Sequence, residues 1–210
     1  KEREAKRGAA PVPSGVSRRV PREAGQWPLL ECLVTREWQN TMMLTQIVVA
    51  RQAPDGRVAA GVFLVDLACL GIKDGYAVLF PSWREYERQL RAQITAQQPM
   101  VRADLNLVAK IVREATRYAA ALGFQPHPDA ADAMPLLADA DPDACDVPIP
   151  LGGPEGKPLY ISGPYDDAEA IINHLVRRLG PDGFHYLVSW EGKKACWRIG
   201  TCKSPGLPQP

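Results

Sequence analysis

The chain has 210 residues, of which 46% are hydrophobic and 23% charged, the make-up of an ordinary folded chain of one domain with or without tails. Its 25 Lys and Arg against 24 Asp and Glu leave a net charge of +1, which excludes a nucleic-acid coat or an acidic solvating tail as the character of the whole. No apolar run approaches the roughly 20 residues that a bilayer crossing needs, so no membrane span is expected.

The near-zero total hides a division. Residues 1–25 hold seven basic groups (Lys1, Arg3, Lys6, Arg7, Arg18, Arg19 and Arg22) against three acidic ones, a local charge of +4 on a −3 remainder. With Pro11, Pro13, Pro21, Gly8 and Gly15 interspersed, this stretch buries too little apolar surface to offset chain entropy, and it reads as a flexible basic arm. It has no apolar core of a secretory signal, and its start at Lys1 rather than Met is compatible with removal of an upstream piece. The arm could hold phosphates or an acidic protein surface through Arg3, Lys6, Arg7, Arg18, Arg19 and Arg22. The blander reading is a solubilising extension, since Glu2, Glu4 and Glu23 are mixed in.

The expected body spans residues 26–190 as a single domain. Trp27 to Thr35 turns apolar as a first strand would, and Trp38 closes that unit. Gln46–Gln52 and Arg57–Leu70 are rich in β-branched residues and flank Ala53-Pro54-Asp55-Gly56, a strong hairpin signal. The second arm is apolar on both faces, as a covered central strand would be, with Asp66 conspicuous inside it. Gly71-Ile72-Lys73-Asp74-Gly75 then reads as a flexible loop. Ser82 and Glu85 form a capping box for a helix over 83–97, with Trp83, Tyr86, Leu90 and Ile94 at helical spacing. A second helix over 102–122 carries Leu105, Val108, Val112, Ala115, Ala119 and Leu122 on one face and stops at Gly123. Residues 124–150, rich in Pro and Asp, read as an extended, solvated connection. Residues 158–162 follow as a strand, Asp166 as the cap of a helix over 167–179, and Phe184–Trp190 as a last strand. Residues 191–210 read as a poorly ordered tail. Strands first, then two helices, then strand, helix and strand predict an α+β fold: a mixed or antiparallel sheet with a central hairpin and about three helices.

Candidate chemistry is sparse. Asp66, Lys73 and Asp74 could form an acid/base or metal-binding group at a strand end; alternatively Asp66 is a buried carboxylate bonded to backbone amides and the other two are turn residues. His127 and Asp129, on a Pro-stiffened loop, could transfer a proton, or could be ordinary surface groups. Asp139, Asp141 and Asp143 imitate the start of a calcium loop, but Ala144 and Pro150 stand where its Gly and Glu belong. The loop at 162–167 offers a helix start to an anion, though an aspartate cap competes for the same amides. His174 fits a helix boundary face. His185, Cys196 and Cys202 lack the close cysteine spacing of a structural zinc site. The run Trp190 to Arg198 mixes aromatic and basic residues and could stack bases, or simply anchor the tail. Five scattered cysteines fit reduced thiols of a cytoplasmic protein, Cys69 as a small core residue. No nucleophile elbow, dinucleotide loop or phosphate loop is present, and no metal or cofactor is expected.

Three segments together resemble a family of uncharacterised bacterial proteins: Ile47–Arg51 with Pro54–Gly56 and Gly61–Asp74; Tyr118–Asp129; and Gly156–Pro158 leading to Gly163–Asp167. Some members of that family carry an appended SEC-C-type cysteine motif, which Cys196 and Cys202 do not reproduce. The resemblance covers about residues 27–190 and implies one globular unit with three marked loops, without supplying a reaction. Two functions are therefore expected. The first is a non-catalytic cytoplasmic binding or accessory module that docks on a protein or nucleic-acid assembly. The alternative is a metal-dependent or acid/base hydrolase or nuclease using Asp66, Asp74, His127 and Asp129.

Overall fold

The computed structural model describes residues 16–17, 19–190 and 193–198, with side chains to residue 188. Four strands, β1 (Leu29–Thr35), β2 (Thr45–Gln52), β3 (Val58–Asp66) and β4 (Gly71–Phe80), run as an antiparallel meander, and a short β5 (Met100–Arg102) pairs on the free side of β1. The spatial order is β4-β3-β2-β1-β5. A second sheet, in the order β6-β7-β8, contains β6 (Leu159–Ile161), the parallel β7 (His185–Trp190) and the antiparallel β8 (Lys193–Arg198). With three helices this is an α+β fold, and its larger sheet is wholly antiparallel.

Central strands here are apolar on both faces because both faces are covered. Val58, Ala60, Val62, Tyr76 and Val78 face α1, one helical run made of Trp83–Tyr86, Glu87–Arg91 and Ala92–Gln97. Its middle piece is π-helical. Bonding from i to i+5 brings residues five apart towards one side, and here it lets Tyr86 Oη and Arg91 Nε both donate to Glu31 Oε1, at 2.8 and 2.9 Å. The opposite face packs against α2 (Leu105–Leu122), capped by Asp104 and ended by Gly123 at φ 90°. Arg102, which reads as the start of this helix, ends β5 instead by pairing with Leu33 of β1, and the helix begins after its cap at Asp104.

Beside α2 lies the Pro- and Asp-rich connection, and it is no solvated strap. It folds into the short 3-10 turns Pro128–Asp132, Met134–Leu137 and Pro142–Ala144, burying Ala130, Ala133, Leu136 and Leu137 on the sheet. A Cβ at Gly75 would lie 2.8 Å from that of Ala130, so glycine there lets the turn sit directly on β4. Arg51, 1% exposed, staples the connection down: Nε donates to Leu136 O and Nη1 to Trp27 O at 2.8 Å each, and the guanidinium forks onto Asp139.

Ahead of β1, Ser17 bridges to Leu79 and Arg22–Gln26 form a 3-10 turn with Ala24 and Gly25 buried, so the described end of the arm belongs to the body. At the other end, Lys193–Arg198 form β8 where a loose tail reads from sequence. A third apolar cluster, with Cys69, Leu70, Leu122, Tyr160, Leu175 and Phe184, joins the second sheet and α3 (Ala168–Leu179) to the first. His174 Nε2 lies 2.8 Å from Leu122 O and Arg178 Nε donates to Ala121 O, so α3 satisfies the open carbonyls at the end of α2. No helix among the described residues is long and apolar enough to cross a membrane.

Candidate functional site

The segment Gly71–Gly75 is not a loop. It starts β4, and the reversal from β3 is made by residues 67–70 under the control of Asp66. Asp66 Oδ1 accepts from Ala68 N at 2.8 Å and Cys69 N at 3.2 Å, while Oδ2 accepts from Leu70 N at 3.1 Å. Burial pushes this carboxyl above the usual carboxylate range; the amides of Leu70 and Ala68, the Lys73 charge and the Cys69 amide act against the shift. The same turn is tied to the second sheet, as Leu67 O and Ala68 O accept from Gly152 N and Leu159 N. Cys69 beside it is a buried core thiol, which burial pushes up.

Lys73 sits where the β3–β4 register shifts, opposite the second sheet. Its Nζ donates to Asp166 Oδ2 at 2.7 Å, and both side chains are mostly buried, at 13% and 14% exposure. The same oxygen accepts from Gly163 N at 2.8 Å and Tyr160 Oη at 3.3 Å. The capping role expected of Asp166 falls to Asp167, whose side chain accepts from Ala170 N. That one-residue shift releases Asp166 for Lys73. Burial, followed by the charge of Asp166, pushes the Tyr160 hydroxyl up.

Asp66 and Lys73 line a cavity of about 100 Å³, closed on one side by residues 41–44 and on the other by Ile161, Ser162 and Gly163. The 41–44 loop is shaped from within: Asn40 Oδ1 accepts from Met42 N and Asn40 O from Met43 N, while Thr45 Oγ1 donates to Trp38 O. Held this way, Met42, Met43 and Leu44 are three consecutive apolar side chains 38%, 48% and 39% exposed. Asp166 and the Met42–Leu44 rim escape a sequence reading. The adjacent pair Asp166-Asp167 was a usable signal, because one cap needs only one of them; the rim had none, since Met-Met-Leu before a strand looks like core.

The remaining candidates form a separate group. Asp74, largely buried, accepts from Gly75 N at 2.8 Å, and its Oδ1 lies 3.7 Å from His127 Nδ1. His127 starts the 3-10 turn: its backbone N–H donates to Ile72 O, and its Nδ1 accepts from Asp129 N at 3.3 Å. Neither His127 nor Asp129 reaches the Lys73 cavity. Arg19 and Arg22 line a surface hollow of about 560 Å³ with Asp132 among its walls, whereas Arg3, Lys6, Arg7 and Arg18 lie outside the described residues. Asp139, Asp141 and Asp143 are engaged by Arg51, by the Asp143 amide and by Arg113 respectively. His185 is buried beside Glu155, and Cys196 and Cys202 lie beyond the described side chains. Among the described residues, no three or more His, Cys, Asp or Glu side chains come together as a metal site. No protein-family model, curated protein or solved structure matches this chain.

Proposed function

We propose that this protein is a non-catalytic binding module that docks on a partner protein through the face formed by residues 41–44 and 161–163. The observation that carries this reading is the exposed Met42-Met43-Leu44 run, bonded to Asn40 at its start and lining a cavity. Contiguous exposed apolar side chains on an ordered loop cost solubility and mark interaction surfaces, and methionine adapts its shape to a partner. The polar groups beneath it hold backbone: Asp66 is committed to three amides, and Asp166 to an ammonium, an amide and a hydroxyl. A nucleic-acid partner is less favoured, because the two described arginines of the arm, Arg19 and Arg22, share their hollow with Asp132.

The test places a photo-crosslinking residue at position 43 and, as control, at Arg88 on the exposed side of α1. A nuclease-resistant, protease-sensitive adduct specific to position 43 is expected; once identified and purified, that protein should bind the wild type and bind Met43→Asp at least about tenfold more weakly. Adducts that are absent, or equal at both positions, or lost to nuclease, overturn the reading.

One observation favours a second reading, acid/base or metal-assisted hydrolysis. Asp74 Oδ1 lies 3.7 Å from Nδ1 of the half-exposed His127, and that Nδ1 accepts from Asp129 N on the same turn, which sets the ring beside a carboxylate. Asp66 is not part of that group. Hydrolysis of ester, phosphodiester or nucleic-acid substrates that is lost in both His127→Ala and Asp74→Asn would establish it; activity that survives both would end it.

A further inference from the structure

The chemistry of the cavity narrows what the partner brings, an inference that rests on the docking reading above. Lys73 carries three N–H donors, and among the described residues its one bond is to Asp166. The Lys73 side chain is only 13% exposed and is part of the cavity wall. Lys73 is already paired with Asp166, and the Asp66 carboxyl lies in the same wall. An anionic occupant would meet two carboxyls and a cationic one would face the Lys73 ammonium, so the complementary occupant is neutral and offers an acceptor. About 100 Å³ is room for one branched aliphatic side chain, and Met42, Met43, Leu44 and Ile161 supply its apolar walls. Residue 163 must be small for this arrangement, since a Cβ on Gly163 would fall 3.2 Å from both Lys73 Nζ and Asp166 Oδ2.

We infer that the cavity receives one aliphatic side chain of an extended peptide segment, while a main-chain carbonyl of that segment accepts from Lys73 Nζ. Affinity from a single side chain is weak, so the partner supplies the rest of its contacts along the 41–44 rim, and the cavity sets register and side-chain choice.

The test follows the methyl resonances of methyl-labelled methionine in the full chain during titration with N-acetyl-leucine methylamide, N-acetyl-alanine methylamide and N-acetyl-leucine. The leucine amide should shift Met42 and Met43 together and saturably, the alanine amide should bind about tenfold more weakly for its smaller buried side chain, and the free carboxylate should gain nothing over the amide. Lys73→Met should weaken the leucine amide severalfold while circular dichroism stays unchanged; Met43→Asp, on the exposed rim, should abolish the response and covers the case in which Lys73→Met fails to fold. Shifts that map away from residues 41–44, equal response to leucine and alanine amides, tighter binding of the carboxylate, or no response at all would overturn the inference. The two readings fail separately: a position-43 partner with no response to the amides removes the peptide pocket and leaves the module, whereas amide binding with no partner leaves a small-molecule pocket and removes the module.

Discussion

Arg51 and Lys73 are both cations drawn beneath the surface of the large sheet, and the contrast between them separates what holds this fold from what it offers. Arg51, 1% exposed, gives four of its five donors to Trp27 O, Leu136 O and Asp139 and is out of reach of a ligand. Lys73 gives one bond to Asp166 and ends at a cavity under an apolar rim. A planar fork that reaches several fixed acceptors suits a staple, and a compact ammonium on a flexible stem suits a group that keeps spare hydrogens. Arg51 stands between the sheet and its Pro-rich cover, and Lys73 between the two sheets.

Breaking the Arg51 side has the largest expected effect. Arg51→Ala strands two buried carbonyls, at about 1–3 kcal/mol each, and frees the connection that carries Asp139, whose own carboxylate is 59% exposed and adds little when unpaired. Urea unfolding followed by tryptophan fluorescence should show a markedly lower midpoint; a loss under about 1 kcal/mol would mean that the 3-10 turns hold without their staple.

Asp66 sharpens the comparison from the other side of the cavity, because it is saturated by amides yet lies next to Lys73. Asp66→Ala leaves three buried N–H groups without acceptors and should cost about 2–4 kcal/mol. Its pH dependence has a definite sign. A carboxyl whose folded pKa is raised binds its proton more tightly in the folded state, so its contribution is fully present below the ordinary carboxyl range and is lost as pH rises through the raised pKa. Relative to Asp66→Asn, which cannot titrate, the wild type should therefore lose stability as pH climbs from about 4. A difference that stays flat or grows with pH contradicts burial as the dominant cause.

Much of this arrangement could be read from sequence where local chemistry decided it. The caps at Ser82 and Gly123 and the turn at Pro54–Gly56 are specified within a few residues, so α1, the end of α2 and the β2–β3 hairpin were legible. Gly71–Gly75 was not, because two glycines, a lysine and an aspartate carry no strand signal; the strand there is imposed by pairing with β3, which also covers Lys73. The connection after α2 misled for a related reason. Its prolines forbid a long helix, but Ala130, Ala133 and Leu136 recur every third residue, which is the 3-10 period, and only the sheet beneath makes that pattern visible. Asp166 and Asp167 are the same residue type side by side; which one caps α3 is settled by Lys73, ninety-three positions away in the chain.

Lys73→Met leaves Asp166, 14% exposed, without its cation; Gly163 N and Tyr160 Oη go on donating to it and the methionine fills the stem's place, so the loss should be about 2–3 kcal/mol. A loss under about 1 kcal/mol would mean that Lys73 contributes nothing to holding Asp166.

The smallest expected change in stability comes from Met43→Asp, and it is the most informative about function. The side chain is 48% exposed and its loop is fixed by Asn40 and Thr45 rather than by its own packing. Unfolding free energy should stay within about 0.5 kcal/mol of wild type, as for a surface site that makes no special contact. Partner capture, by contrast, should collapse, since a carboxylate at the rim would have to shed its water against an apolar side chain. A loop selected for packing would give the reverse pattern, with stability lost and binding intact. Measuring both quantities on one variant thus asks directly whether the exposed methionines face a partner or only cover the Lys73 cavity.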